Sequence, residues 1–132
     1  MARFLVIEDD NTLRIMMAKT LETAGHNVTQ ASNGSEGAAL FNARPADVII
    51  TDLVLPEGSL EALVRLRQRH PTVPFIIVSG LPQHSTRCLE TAKLLEARRT
   101  LPKPFRLHEL LGVTDEVLAE ENLSLPGGTK KR

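Results

Sequence analysis

The stretch ADVIITDLVLP, residues 46–56, holds the apolar run Val48 to Ile50, meets a carboxylate at Asp52 and breaks at Pro56. A short β-branched run bounded by turn residues fits a strand buried on both faces of a parallel sheet. Two further runs share this form, Phe4 to Ile7 and Phe75 to Val78, each followed by polar residues: Glu8, Asp9 and Asp10 after the first, Ser79 and Gly80 after the second. Asn27 to Ala31 alternates polar and apolar residues and suits a strand near an edge. A fifth strand around Arg99 to Leu101 ends at Pro102.

Helical patterns fill the gaps. Asn11 can cap a helix to about Ala24, with Leu13, Met16, Met17, Thr20 and Leu21 at helical spacing and Gly25 as its stop. Met16 and Met17 read as core filling. Ser32 or Asn33 opens a second helix, to about Ala43, ended by Arg44-Pro45. Ser59 opens a third, with Leu60, Leu63, Val64 and Leu66 as its stripe, stopping before Pro71. A fourth spans about Ser85 to Glu96 and a fifth about Arg106 to Glu121. Strand and helix alternate five times, which with right-handed crossovers makes an α/β, doubly wound, five-stranded parallel sheet.

The chain's 132 residues suit one domain, residues 1–121, followed by a tail, 122–132, that reads as a disordered or linker segment around Pro126-Gly127-Gly128. Sixteen basic and sixteen acidic side chains balance, unlike a dedicated nucleic-acid binder. One cysteine, Cys88, excludes a disulfide scaffold or zinc cluster and suits a reducing, cytoplasmic setting. No apolar run is long enough for a signal peptide or a membrane span. The balance is not local. Residues 1–66 carry nine acids and five bases (−4), residues 67–132 seven acids and eleven bases (+4), with eight bases against two acids between Arg67 and Arg106. That segment is either a solvated basic face or a docking surface for an acidic partner.

In a doubly wound sheet, ligands bind beyond the carboxyl ends of the strands. Those ends carry Glu8, Asp9 and Asp10, then Asp52, Ser79 and Lys103. Clustered carboxylates repel unless a cation joins them, and a hard divalent ion such as Mg²⁺ suits oxygen ligands. Lys103 and the Ser79 hydroxyl would then neutralise and hold a phosphoryl group, leaving Asp52 as the nucleophile of an aspartyl phosphate. Asp10 reads instead as a surface or helix-capping carboxylate. His26, His70, His84 and His108 lack metal-ligand spacing and read as surface or satisfied core groups.

The strings FLVIEDD, ADVIITDLVLP, PFIIVSG and LPKPF, in this order and spacing over residues 1 to about 120, resemble the signatures of the receiver domain of two-component response regulators. The resemblance implies the flavodoxin-like receiver fold with strand order 2-1-3-4-5. It implies that Asp52 accepts a phosphoryl group from a histidine kinase or phosphotransfer protein, the domain catalysing its own phosphorylation and dephosphorylation. By the same resemblance, Mg²⁺ is held by Asp9 directly, Glu8 through water, Asp52 and the Val54 carbonyl. Ser79 and Lys103 bind phosphoryl oxygens, and the Lys103-Pro104 bond is cis. The docking face for a downstream protein target would be the fourth helix, fifth strand and fifth helix, with Arg87, Lys93, Arg98, Arg99 and Arg106. Activation could bring a homodimer. No DNA-binding segment or membrane anchor is expected in this chain.

Three features depart from the family pattern. The usual aromatic three residues before the lysine is Thr100, which leaves the switch to Ser79 and loop movement. The loop after Pro56 is one residue short. Val54 and Leu81, two residues after Asp52 and Ser79, are apolar, which predicts slow self-dephosphorylation. The rival classes fit worse. A haloacid-dehalogenase-type phosphatase needs Asp where Val54 stands, and EDDNTL occupies the place of a dinucleotide or flavin phosphate loop. The remaining alternative is a degenerate receiver acting as a phosphorylation-independent interaction module.

Overall fold

A computed structural model describes residues 1–124, with side chains to Glu121. The elements are β1 (Arg3–Ile7), α1 (Asn11–Thr23), β2 (Asn27–Ala31), α2 (Gly34–Ala43), β3 (Val48–Asp52), α3 (Ser59–Arg69), β4 (Phe75–Ser79), α4 (Thr86–Leu95), β5 (Arg99–Pro102) and α5 (Leu107–Ser124). All strand pairs are parallel, in the order β2-β1-β3-β4-β5. The α/β sheet is therefore the expected one, and β2, the alternating segment, lies at its edge.

The continuous apolar runs are explained by two cores, one on each face of the sheet. Leu5, Ile7, Ile49, Phe75 and Ile77 point into one, with Phe41, Leu63, Leu66 and Leu95 from α2, α3 and α4. Phe4, Val6, Val48, Ile50, Ile76 and Val78 point into the other, with Met17, Leu21, Leu110 and Val117 from α1 and α5. Each fully buried aliphatic or Phe side chain contributes about 1.5–3 kcal/mol, so the three inner strands anchor both layers at once.

Several local expectations are corrected. Asp10, not Asn11, caps α1: its Oδ1 accepts the Leu13 N–H at 3.2 Å, and Asn11 is the first helical residue. Met17 is buried in the core, but Met16 is 46% exposed, because the stripe of α1 runs through Met17, Ala18 and Leu21. On α3 the buried face is Ala62, Leu63, Leu66 and Arg67, while Leu60 turns outward. Helix α5 continues three residues past Glu121, to Ser124. The remainder of the expected tail, 125–132, lies outside the described residues.

The helices α2 and α3 meet closely. A Cβ on Gly34 would lie 2.3 Å from the Ser59 carbonyl oxygen, and the Gly34 N–H donates to Ser59 Oγ at 2.9 Å. Only glycine permits this approach. Gly58, at φ 88°, turns the chain from the loop after β3 into α3.

Candidate functional site

Strand register brings the site together. Ile7 stands opposite Thr51, so the next residue, Glu8, is level with Asp52; Ser79 stands opposite Pro102, one residue before Lys103. The Glu8 N–H donates to the Ala31 carbonyl at 3.0 Å and the Lys103 N–H to the Ser79 carbonyl at 2.7 Å, extending the ladder past the formal strand ends. Four parallel strands thus bring their carboxyl-end side chains, Glu8, Asp52, Ser79 and Lys103, to one rim.

At the centre, Lys103 Nζ donates to Glu8 Oε1 and to Asp52 Oδ2, each at 2.9 Å. Glu8 is 1% exposed and Asp52 6%, whereas Asp9 is open to solvent. Carboxylate oxygens of Glu8, Asp9 and Asp52 can all lie within 4.8 Å of one another. Three carboxylates against one ammonium leave two uncompensated negative charges, which a divalent cation would neutralise. Oxygen-only donors are what a hard cation such as Mg²⁺ prefers. The set fits that ion on charge and on donor type, with Glu8, Asp9 and Asp52 as its holders.

The electrostatics reflect the crowding. Burial pushes the Glu8 carboxyl above the ordinary value of 4.5, assisted by the nearby Asp52 charge, and the hydrogen bonds from Lys103 and the Asp10 backbone only partly offset it. Burial would pull the Lys103 ammonium down, yet its bonds to Glu8 and Asp52 outweigh that and hold it above 10.5. Lys103 is therefore a permanent cation in this rim.

Surrounding groups fix the acids. The Asp10 N–H donates to Glu8 Oε2 at 3.1 Å and the Val54 N–H to Asp52 Oδ1 at 3.2 Å. Arg14 Nη1 donates to the Glu8 carbonyl at 2.9 Å, one helical turn after the Asp10 cap. Arg14 was not singled out from the sequence. Its only signal there is a cation in the first turn after an acidic strand end. The Lys103-Pro104 peptide is cis, as the resemblance implied.

Ser79 is buried at the end of β4, and its Oγ accepts the Leu81 N–H at 2.9 Å. It shares the rim with the acid cluster but is bonded to its own loop rather than to Asp52. Thr100 is half-buried on β5, and its carbonyl accepts from Gln83 Nε2 at 3.2 Å. Val54 is 44% exposed.

The basic residues of the expected docking face separate into two groups. Arg87, Lys93 and Arg106 are exposed. Arg98 pairs with Glu120 and, at 2.6 Å, with Glu121; Arg99 pairs with Glu116 at 3.2 Å and with Glu120. These two arginines strap β5 to α5. Arg87 also lines a cavity of about 220 Å³, between the loop after β3 and α4, that Asp52, Glu57 and Thr91 border. Asp10 is a cap rather than part of the acid cluster.

A buried cation, Arg67, has no signal in the residue pattern. Arg67 is 5% exposed, and its guanidinium donates to the Leu95 carbonyl at 2.8 Å, the His70 carbonyl at 3.0 Å and the Val73 carbonyl. It also lies 4.7 Å above the Phe75 ring centroid. No helix among the described residues is long and apolar enough to cross a membrane.

The comparisons agree with this geometry. The family model of the response regulator receiver domain matches residues 4–115. Protein PilH of Pseudomonas aeruginosa is 34% identical over 122 residues, spanning 90% of this chain and 99% of PilH. The DNA-binding transcriptional regulator NtrC of Rhizobium meliloti is 32% identical over 120 residues, 90% of this chain but 24% of NtrC. The chain thus spans about a quarter of that relative's length, and it covers 13% of the sensor kinase CckA of Brucella abortus. The chemotaxis protein CheY4 of Vibrio cholerae superposes with a TM-score of 0.80 at 28% identity, covering 89% of this chain and 98% of CheY4. With five parallel strands in the order 2-1-3-4-5 and an acidic rim around Asp52 and Lys103, the chain belongs to the response regulator receiver domain family.

Proposed function

We propose that Asp52 is the phosphoacceptor of a phosphorelay, taking a phosphoryl group from a phosphohistidine of a histidine kinase or phosphotransfer protein. One observation carries this reading: a single ammonium, Lys103, bonded at once to Glu8 and Asp52 beside a third carboxylate, Asp9. An Asp52 carboxylate oxygen attacks phosphorus and the P–N bond breaks. The donor imidazole, protonated on its other nitrogen, leaves neutral with the electron pair. When bound by Glu8, Asp9, Asp52 and the Val54 carbonyl, Mg²⁺ supplies charge neutralisation for the transferred oxygens. Lys103 exchanges a carboxylate partner for a phosphoryl oxygen, and Ser79 gives up the Leu81 N–H to donate its hydroxyl proton to another. Hydrolysis reverses the account: water attacks phosphorus, inorganic phosphate leaves and the Asp52 carboxylate returns. Apolar Val54 and Leu81 leave that water without a polar guide, which makes self-dephosphorylation slow.

Without an aromatic at Thr100, the signal passes through Ser79 and its loop to the surface of α4, β5 and α5, where Arg87, Lys93 and Arg106 face a downstream protein. The setting is cytoplasmic. The test is intact mass after incubation with a small phosphodonor. Wild type gains one phosphoryl group with Mg²⁺; Asp52→Asn gains none, and neither does wild type without Mg²⁺. No addition under any condition would overturn the reading in favour of a phosphorylation-independent interaction module.

A further inference from the structure

The solvent faces of α2 and α3 form a groove of about 270 Å³, away from the acidic rim and from α4, β5 and α5. Its α2 wall is Ser35, Ala38 and Asn42, all short side chains; its α3 wall is Ala62 and Leu66 with Arg65 and Arg69, the two arginines one helical turn apart. Both arginines are exposed, and neither has a carboxylate or hydrogen-bond partner among the described residues. The contrast within the molecule is direct, because Arg98 and Arg99 are committed to acids of α5. Nor do Arg65 and Arg69 need to serve the negative end of α3, since buried Arg67 already holds carbonyls at the C-terminal ends of α3 and α4. The nearest acid on α3, Glu61, stands one turn before Arg65 but makes no salt bridge with it, and it lines the cavity beside Asp52.

The groove is also rigid. The close approach of Gly34 to the Ser59 backbone fixes how far apart the two helices stand, so a ligand would not have to open them. Small residues on one wall admit another helix to close range. The two arginines, at the i,i+4 spacing of about 6 Å, match carboxylates at the same spacing on such a helix. Two cations with no aromatic neighbour make too short a track for a nucleic-acid backbone, which wants a longer basic stripe and stacking rings.

We propose that the α2–α3 groove is a docking surface for an acidic helical segment of a partner protein, with Arg65 and Arg69 pairing carboxylates one turn apart. The surface is distinct from the face proposed to read Asp52, and its occupancy does not depend on phosphorylation.

The test is an amide chemical-shift titration of the whole chain with a synthetic alanine-rich helical peptide bearing glutamate at every fourth position. The expected shifts are confined to α2 and α3. Charge reversal at Arg65 and Arg69 together is expected to weaken binding about tenfold or more, while the same reversal at Lys19, exposed on α1, leaves it unchanged. Thermal unfolding checks that both variants remain folded, which exposed positions allow. Shifts centred on α4, equal binding of a lysine peptide, stronger binding of a single-stranded oligonucleotide, or no shift at all would each overturn the proposal. Because the titration uses unphosphorylated protein, its failure is separable from a failure of Asp52 to accept phosphate.

Discussion

This molecule holds a cation at each end of its sheet, half-buried Lys103 and buried Arg67, and the two are held by opposite chemistry. At the carboxyl ends of the strands, Lys103 is held by two carboxylates, Glu8 and Asp52, in a rim that still has negative charge to spare. At the other end, Arg67 is held by three backbone carbonyls and the face of Phe75, with no acid within salt-bridge reach among the described residues. Burial lowers the Arg67 guanidinium from its ordinary value, but an arginine stays charged in a protein and the carbonyl cage satisfies its donors. Carbonyls belong to the backbone and cannot leave, whereas carboxylates can be exchanged for a phosphoryl oxygen or a metal. One centre ties α3 and α4 together; the other is built to be rearranged.

That difference can be tested by removing each cation. Arg67→Met orphans three buried carbonyls and is expected to cost about 3–5 kcal/mol, read by urea unfolding and unaffected by Mg²⁺. A loss below about 1 kcal/mol would mean that water replaces the guanidinium and that the cage is dispensable. Lys103→Met leaves Glu8 and Asp52 facing each other without a cation and is expected to cost less, about 1–2 kcal/mol. Millimolar Mg²⁺ should restore most of that loss, because a divalent ion can take the place of the ammonium among the carboxylates. The same variant should be phosphorylated poorly even when Mg²⁺ has restored its stability.

The contrast between buried and exposed carboxylates gives the smallest effect. Glu8 is raised mainly by burial, while Glu36, exposed on α2, is lowered mainly by the Ser32 backbone N–H at 2.7 Å and then by its hydroxyl. A depressed folded value contributes stability above the ordinary 4.5 and loses it as pH falls through the folded value. A side-chain carboxyl titration should therefore place the Glu36 midpoint below 4.5, and Ser32→Ala should move it back upward.

The sequence shows one of these two centres clearly and hides the other. Strands buried on both faces leave continuous apolar runs, and the polar residues just past each run are the ones the sheet delivers to the rim. Glu8, Asp52, Ser79 and Lys103 were legible because the fold itself turns sequence position into spatial convergence. Arg67 was not, since its partners are backbone carbonyls at His70, Val73 and Leu95, which have no signature in residue type. A stripe reading of α3 counts apolar residues only, so it chose outward-facing Leu60 and passed over Arg67. The α1 cap failed for a narrower reason. Asp10 and Asn11 are equally good caps, and the Glu8 side chain, by accepting the Asp10 N–H, sets where the helix starts.

The most direct test is an amide shift map of the whole chain with beryllofluoride and Mg²⁺, which together mimic the phosphoryl group. Large changes are expected at the amides of Glu8–Asp10, Asp52–Val54, Ser79–Leu81 and Lys103, and unchanged amides at His70, Thr72 and Val73 beside Arg67. Changes spread equally over both ends of the sheet, or none at the rim, would contradict it.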